Sequence, residues 1–219
     1  IRDELQSRGL GDVYKRQAPE AELFVRWVQN GIFQPRFSIH STNTDNTVTE
    51  PWMFSDKKQY IRDAINFRYK LSPMLYSLMV RAHESGLPIS QPTFAVFQND
   101  PATYDEGVDF MFGDSLLVAN VVEKGQTVRP VYLPKTENEN ERFYNFYTRE
   151  EYAPGQTIEV PVDISSIPLF VRSGAILPMS GNRSMHIMRA EVPGPTVGKL
   201  VPRIRKTASI LYLLYICLL

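Results

Sequence analysis

The sequence predicts an α+β chain in which a helical half is followed by a strand-rich half. Between Glu22 and Gly86 most apolar residues recur every three to four positions, which is the period of amphipathic helices. From Ile89 the period changes to two, and short β-rich runs alternate with turns, as in an antiparallel β-sandwich. We therefore expect two domains, at residues 18–88 and 89–179, with Pro88 preventing continuation of the last helix.

The helical half opens with a predicted helix from Glu22 to Phe33. Its apolar residues lie three or four positions apart, so they share one face that folding is expected to bury. These residues are Leu23, Phe24, Trp27, Val28 and Ile32.

A short strand is predicted after this helix. Beyond Pro35, the residues Phe37 and Ile39 alternate with polar side chains up to His40. Residues 41–49 are almost wholly Ser, Thr, Asn and Asp, which favour turns by bonding their own backbone. His40 is thus expected where a strand meets a loop, a position at which barrel folds carry chemistry.

A second, longer helical segment is predicted after the loop. Ser55 or Asp56 can cap a helix that reaches about Lys70, and Ser72-Pro73 should interrupt it and start a new helix. Gly86 is a suitable left-handed cap for the end. The second part is expected to bury Leu75, Leu78, Met79 and Ala82.

The strand-rich half contains six predicted strands separated by turn residues. They are Thr93–Phe97, Leu116–Val122, Val128–Leu133, Phe143–Thr148, Ile158–Val162 and Leu169–Val171. The acidic run at residues 136–141 is expected to be an exposed hairpin tip. It lacks the ligand spacing and turn glycine of an EF-hand, so we do not expect a calcium site there.

Composition excludes several classes of function. The 219 residues carry 24 basic and 24 acidic side chains, so neither a nucleic-acid nor a membrane partner is expected. Cys217 is the only cysteine, and the three histidines lack metal-ligand spacing, so we expect no disulfide and no metal site. No nucleotide-binding glycine motif or G-x-S-x-G occurs, and no cofactor is predicted.

Both ends of the chain are set apart from the fold. Residues 1–17 contain no signal-peptide core and no periodic pattern, and we interpret them as a disordered, non-native lead-in. Residues 180–219 are interpreted as a tail that a frame slip has altered; its apolar run Ile210–Leu219 is shorter than the roughly 20 residues of a membrane span. The compartment stays open, with a slight preference for the cytoplasm, and the oligomeric state is not readable.

Two sets of residues resemble glycoside hydrolase family 31, which contains α-glucosidases and α-xylosidases. The first set includes Arg26-Trp27, Gly31, Phe33, Pro35, His40, Glu50-Pro51-Trp52 and Phe67-Arg68-Tyr69-Lys70-Leu71. The second comprises Phe110–Ala119 and Ile167–Pro178. The resemblance covers about residues 21–179. It implies that the helical half is the end of a (β/α)8 TIM barrel and that the strand-rich half is the sandwich that follows it.

The resemblance also implies roles for individual residues. His40 would be the substrate-binding histidine at the end of the last barrel strand, although a histidine with a merely structural role is the alternative. The family often has an arginine two positions before this histidine. Here Ser38 occupies that position, and Arg36 either contacts the sugar or a carboxylate or points outward. Trp52 could stack on a sugar face, but core packing is the preferred interpretation.

The reactive groups of the family are missing from this chain. Retaining glycosidases need a nucleophilic carboxylate and an acid/base carboxyl group; in the family both are aspartates on earlier barrel strands, and no Trp-x-Asp-Met-Asn-type motif occurs here. Asp109 and Asp114 are interpreted as strand-end turn residues rather than acids. The sequence thus indicates an inactive fragment of a retaining α-glycosidase with a carbohydrate substrate. The alternative is a non-catalytic carbohydrate-binding or structural sandwich module.

Overall fold

The computed structural model describes residues 19–39, 50–138 and 140–180, together with the backbone of 197–200. His40, the predicted loop 41–49 and the lead-in 1–17 therefore lie outside the described residues, as does most of the tail 181–219. Within the described part, three helices cover one face of an antiparallel sheet and a pair of strands covers the other. This mixture of helices and antiparallel strands confirms the predicted α+β class.

The helices follow the sequence prediction closely. They are α1 (Ala21–Gly31), α2 (Lys58–Lys70), α3 (Ser72–Ser85) and the short α4 (Thr93–Val96), with a 3-10 helix at Pro51–Met53. As predicted, the second helical segment is interrupted at Leu71, and Pro73 lies in the first turn of α3. Gly86 ends α3 with φ 73°, the predicted left-handed cap. No helix in the described ranges combines the length and apolarity that crossing a bilayer requires.

Ten strands form three antiparallel sheets within the described residues. They are β1 (Ser90–Pro92), β2 (Phe110–Phe112), β3 (Leu116–Val118), β4 (Val128–Leu133), β5 (Phe143–Asn145), β6 (Glu151–Tyr152), β7 (Gln156–Pro161), β8 (Leu169–Arg172), β9 (Ile176–Met179) and β10 (Val197–Leu200). The main sheet has the order β1-β2-β3-β8-β5-β6. Strands β4 and β7 pair with each other, as do β9 and β10.

Two predicted strands are wrong. Thr93–Phe97 has apolar and β-branched residues, but Thr93–Val96 forms α4, because the sheet takes up the preceding residues instead and Gln91 pairs with Met111. Residues 34–39, the described part of the strand predicted up to His40, form bends and irregular backbone. A strand needs a hydrogen-bonded neighbour. No described strand pairs with this segment.

Both faces of the main sheet are buried, each in a different core. Neighbouring residues of a strand point to opposite faces. In β3, Leu116 and Val118 belong to a core shared with α1, α2 and α3, whereas Leu117 belongs to a second core with Val131 of β4. The second core is the interior of the predicted sandwich. The first core joins the two halves of the chain.

The exposed side of the helices differs from the prediction. Phe24 and Val28 of α1 and its cap residue Ile32 are buried as expected, but Leu23 and Trp27 are exposed. In α3, Met79 is also exposed, and Met74 is buried in its place. Helix α1 therefore packs on the sheet with only part of its apolar face. Trp27 lies on the remaining part of that face, which no described element covers.

Replacing Gly113 by alanine is expected to lower the free energy of unfolding by about 2 kcal/mol. Gly113 lies between β2 and β3 with φ 65°, and an added Cβ would lie 2.7 Å from Cδ2 of Leu78 in α3. Urea unfolding followed by far-UV circular dichroism measures the change. Gly107→Ala is the matched control, since nothing lies within 4 Å of its added Cβ, and it should be nearly neutral. Equal stability of the two variants would contradict the prediction.

Candidate functional site

Helix α1 and the segment 34–39 enclose a groove of about 460 Å³. It is lined by Trp27, Val28, Asn30, Gly31, Gln34, Arg36, Phe37, Ser38 and Ile39. The indole of Trp27 is 71% exposed. The groove therefore combines an aromatic ring, a guanidinium group and amide side chains, which are the groups that recognise the faces and hydroxyls of a sugar.

The three predicted substrate-binding residues are not all brought together. Arg36 lines the groove and is exposed, and among the described residues it has no hydrogen-bond or ion-pair partner. His40 lies outside the described residues, but it follows Ile39, the last lining residue, so the segment that forms the groove leads directly to it. The structure leaves the role of this histidine a prediction.

Trp52 lies apart from this groove. It is in the 3-10 helix Pro51–Met53, is 66% exposed and is not a lining residue. The preferred interpretation of Trp52 as a core residue is therefore wrong within the described structure. Residues 41–49, which the sequence predicts to be a loop, separate Trp52 from His40 along the chain and lie outside the described residues.

Arg68 of α2 binds the backbone next to the groove. Its Nη1 donates to the carbonyl oxygens of Ile32 at 2.6 Å and Gln34 at 2.8 Å, and Nη2 donates to that of Pro35 at 3.2 Å. Its guanidinium carbon also lies 5.3 Å from the ring centre of Phe37. Burial lowers the pKa of Arg68, and Tyr69 partly offsets this effect. The ordinary pKa of an arginine side chain is so high that the guanidinium group stays charged at neutral pH.

The two carboxylates considered as acids are separate structural groups. Asp109 is buried, and its Oδ1 accepts from Nη2 of Arg129 at 2.7 Å and from the amide of Asn120 at 3.1 Å. Burial raises the pKa of Asp109 to about 7, although both of these donors favour the carboxylate. Asp114 pairs instead with Arg81 of α3, at 2.9 Å.

The environment of Asp114 favours its ionised form. Burial would raise the pKa of this carboxyl group, but the charge of Arg81 and hydrogen bonds, including one from Ser115, outweigh it and lower the pKa. The two aspartates lie at opposite ends of β2. Each has its own arginine, so they do not form the facing carboxyl pair that glycoside hydrolysis requires. The described residues therefore do not offer a carboxyl pair that could cleave a glycosidic bond.

Two residues at this site were not identified as functional from the sequence. The sequence predicts Trp27 on the buried face of its helix, and the helical position of Arg68 predicts a side chain that lies in solvent or pairs across a turn. The structure contradicts both assignments. The available signal was their place in the family-like motifs Arg26-Trp27 and Phe67-Arg68-Tyr69. Among the described residues, no group of three acidic, histidine or cysteine side chains is arranged to hold a metal ion.

Two family models match consecutive parts of the chain. The model of the glycosyl hydrolases family 31 TIM-barrel domain matches residues 12–78. The model of the glycosyl hydrolase family 31 C-terminal domain matches residues 86–177. The interval between the two matches lies at the end of α3, close to the predicted boundary at residue 88.

Relatives and solved structures of the same family align with most of the chain. Human neutral alpha-glucosidase AB is 37% identical over 174 residues, which are 78% of this chain and 18% of that protein. A GH31 dextranase of Flavobacterium johnsoniae, in complex with glucose, has a TM-score of 0.74 and 35% identity over 83% of this chain and 22% of its own. A GH31 alpha-xylosidase of Xanthomonas citri has a TM-score of 0.67 and 30% identity, covering 82% of this chain and 19% of its own. The chain thus spans about a fifth of the length of these proteins.

Proposed function

Because the chain belongs to glycoside hydrolase family 31, we propose that it is the C-terminal part of a retaining α-glycosidase that hydrolyses α-glucosides or α-xylosides. Residues 18–88 would complete the TIM barrel, and residues 89–179 would be the adjoining sandwich. The observation that carries this proposal is the groove beside α1, whose lining segment ends next to His40. The names of the relatives support the substrate class, since they are glucosidases, a dextranase and a xylosidase.

The chain would contribute substrate binding rather than bond cleavage. Active sites of TIM barrels lie at the C-terminal ends of the strands, where His40 is expected. We propose that His40 and Arg36 bind sugar hydroxyls and that Trp52 stacks on a sugar ring. Such contacts accelerate hydrolysis when they strengthen as positive charge develops on the sugar ring in the transition state. The nucleophile and the acid/base would come from earlier strands of the barrel.

The test uses the product of the complete reading frame. It should contain two barrel-strand aspartates and hydrolyse an aryl α-glucoside or α-xyloside. The 219-residue chain alone should give no turnover above buffer. In the complete enzyme, His40→Ala should lower kcat/KM by about 100-fold, because a buried sugar hydroxyl loses its partner.

Arg62→Ala is the matched control, since Arg62 lies on the exposed side of α2. It should leave kcat/KM unchanged. A complete reading frame without the two aspartates, or a product that binds sugars without hydrolysing them, would favour the non-catalytic module instead. Turnover by the 219-residue chain itself would refute its proposed inactivity.

A further inference from the structure

We propose that Arg68 and Ser90 are positioning residues, which fix the backbone that leads to the substrate-binding residues. This inference rests on the proposed function. Four consecutive carbonyl groups, at residues 32–35, accept hydrogen bonds from these two side chains. Arg68 binds the first, third and fourth of them, and Oγ of Ser90 donates to the carbonyl of Phe33 at 3.2 Å.

These carbonyls need partners because of where they lie. The last carbonyl groups of a helix find no N–H donor inside the helix. The residues that follow α1 do not belong to a sheet of the described structure that could supply donors either. Ile32 caps α1, so its carbonyl and the next three would otherwise depend on water. The planar guanidinium of Arg68 presents several donors in a fixed fork, and its charge also suits the negative end of the helix dipole. A single side chain can thus fix the direction in which the chain leaves α1.

The same two residues connect the site segment to both halves of the molecule. Arg68 lies in α2, and its guanidinium group contacts the backbone before Arg36 and the ring of Phe37 after it. Ser90 is the first residue of β1, at the edge of the main sheet. Arg36 is therefore held from both sides through its neighbours, while its own side chain stays exposed toward the groove. The sandwich, through Ser90, takes part in positioning the segment.

Hydrogen–deuterium exchange on the 219-residue chain tests the inference without any sugar. Arg68→Met keeps the apolar stem but removes all donors. It should speed the exchange of the amides at residues 32–34, which donate to the carbonyls of Val28, Asn30 and Gly31, by at least about tenfold, while the amides of β3 and β8 keep their protection. Arg68→Lys should restore part of the protection. Ser90→Ala should produce a smaller increase that is confined to the amides of Phe33 and Gln34.

Arg62→Met, on the exposed side of the same helix, is the control and should change nothing. Unchanged exchange at residues 32–34 in Arg68→Met would overturn the inference. A uniform increase that includes β3 and β8 would do the same, because it would indicate a general loss of stability. The smaller change in Ser90→Ala still tests the idea if Arg68→Met does not fold.

Kinetics of the complete enzyme separate this inference from the proposed function. Arg68→Lys should raise KM for the aryl α-glycoside by about tenfold and change kcat by less than about threefold, because it displaces binding groups and not the reacting carboxylates. An enzyme with no activity on α-glycosides would refute the proposed function and leave the exchange result standing. An active enzyme with an unchanged KM in Arg68→Lys would refute the positioning role.

Discussion

Replacing Arg26 by alanine is expected to lower the free energy of unfolding by about 3 kcal/mol, since it removes two charge-assisted hydrogen bonds from a buried site. Arg26 lies in α1 and is 8% exposed. Its Nη2 donates to the carbonyl of Asp163 at 2.9 Å, and Nη1 donates to that of Ser166 at 3.1 Å. Both carbonyls belong to the turn before β8. The bonds therefore join the barrel part of the chain to the sandwich.

The loss is large because Arg26 belongs to a network that also includes Gln29. Gln29, one turn further along α1, donates from Nε2 to the carbonyl of Ile164 at 2.8 Å. It also accepts from Arg26 at 3.1 Å. Removing Arg26 thus leaves the side-chain oxygen of Gln29 without its partner as well. Removing one partner of a buried hydrogen-bonded pair lowers the free energy of unfolding by more than the bond itself contributes, because the other partner stays buried without a hydrogen bond.

Urea unfolding by far-UV circular dichroism measures this effect, and Arg62→Ala on the exposed side of α2 is the control. Arg62→Ala should shift the free energy of unfolding by less than about 0.5 kcal/mol. Arg26→Ala and Gln29→Ala should not be additive, because the two side chains form one network. A loss in Arg26→Ala no larger than that in the control would show that α1 and the turn are not energetically connected.

Much of this fold could be predicted because the signals are local. The apolar period places α1 to within two residues, Pro73 marks the break between α2 and α3, and Gly86 marks the end of α3. The predicted strand Val128–Leu133 is confirmed without change as β4. Turn residues and hydrophobic periodicity depend on residues that are close in the sequence, so they can be read without knowledge of the tertiary structure.

The predictions fail where residues that are distant in the sequence determine the local structure. Thr93–Phe97 has strand-forming residues, but β2 pairs with residues 90–92, and α4 follows from there. The strand predicted before His40 requires partners that no described strand supplies. Arg68 could not be assigned from its helix alone, since its acceptors lie more than 30 positions earlier and are backbone atoms, which carry no sequence signal.

The shared core changes how the two family domains are interpreted here. The change to a strand pattern at Ile89 predicts a boundary between two domains, of which residues 89–178 would be the part that folds most readily alone. In the structure, the face of β3 and β8 that contains Leu116 and Leu169 is covered by α1, α2 and α3. Without these helices, that face of the sheet would be an exposed apolar surface of the kind that causes association. The helices are thus part of the sandwich's fold as well as part of a barrel.

Replacing Phe33 by alanine tests this interpretation and should have the largest effect, a loss of about 4 kcal/mol in the free energy of unfolding. Phe33 is 0% exposed, and its ring has edge contacts with Phe67 of α2 at 6.2 Å and Phe112 of β2 at 5.7 Å between ring centres. The cavity would open between the helices and the sheet, where neither layer can close it alone. Phe94→Ala, at an exposed position of α4, is the matched control and should cost less than about 1 kcal/mol.

The number of unfolding transitions separates the two interpretations of the domains. If the halves share one core, Phe33→Ala should shift the loss of helix and of sheet signal together, in a single transition at lower urea. If the sandwich folded by itself, only the helical signal would shift, and the sheet would unfold at its original midpoint. A single shifted transition would show that the end of the barrel and the sandwich unfold as one unit. A shift of the helical signal alone would show that the contact of Phe33 with β2 does not stabilise the sheet.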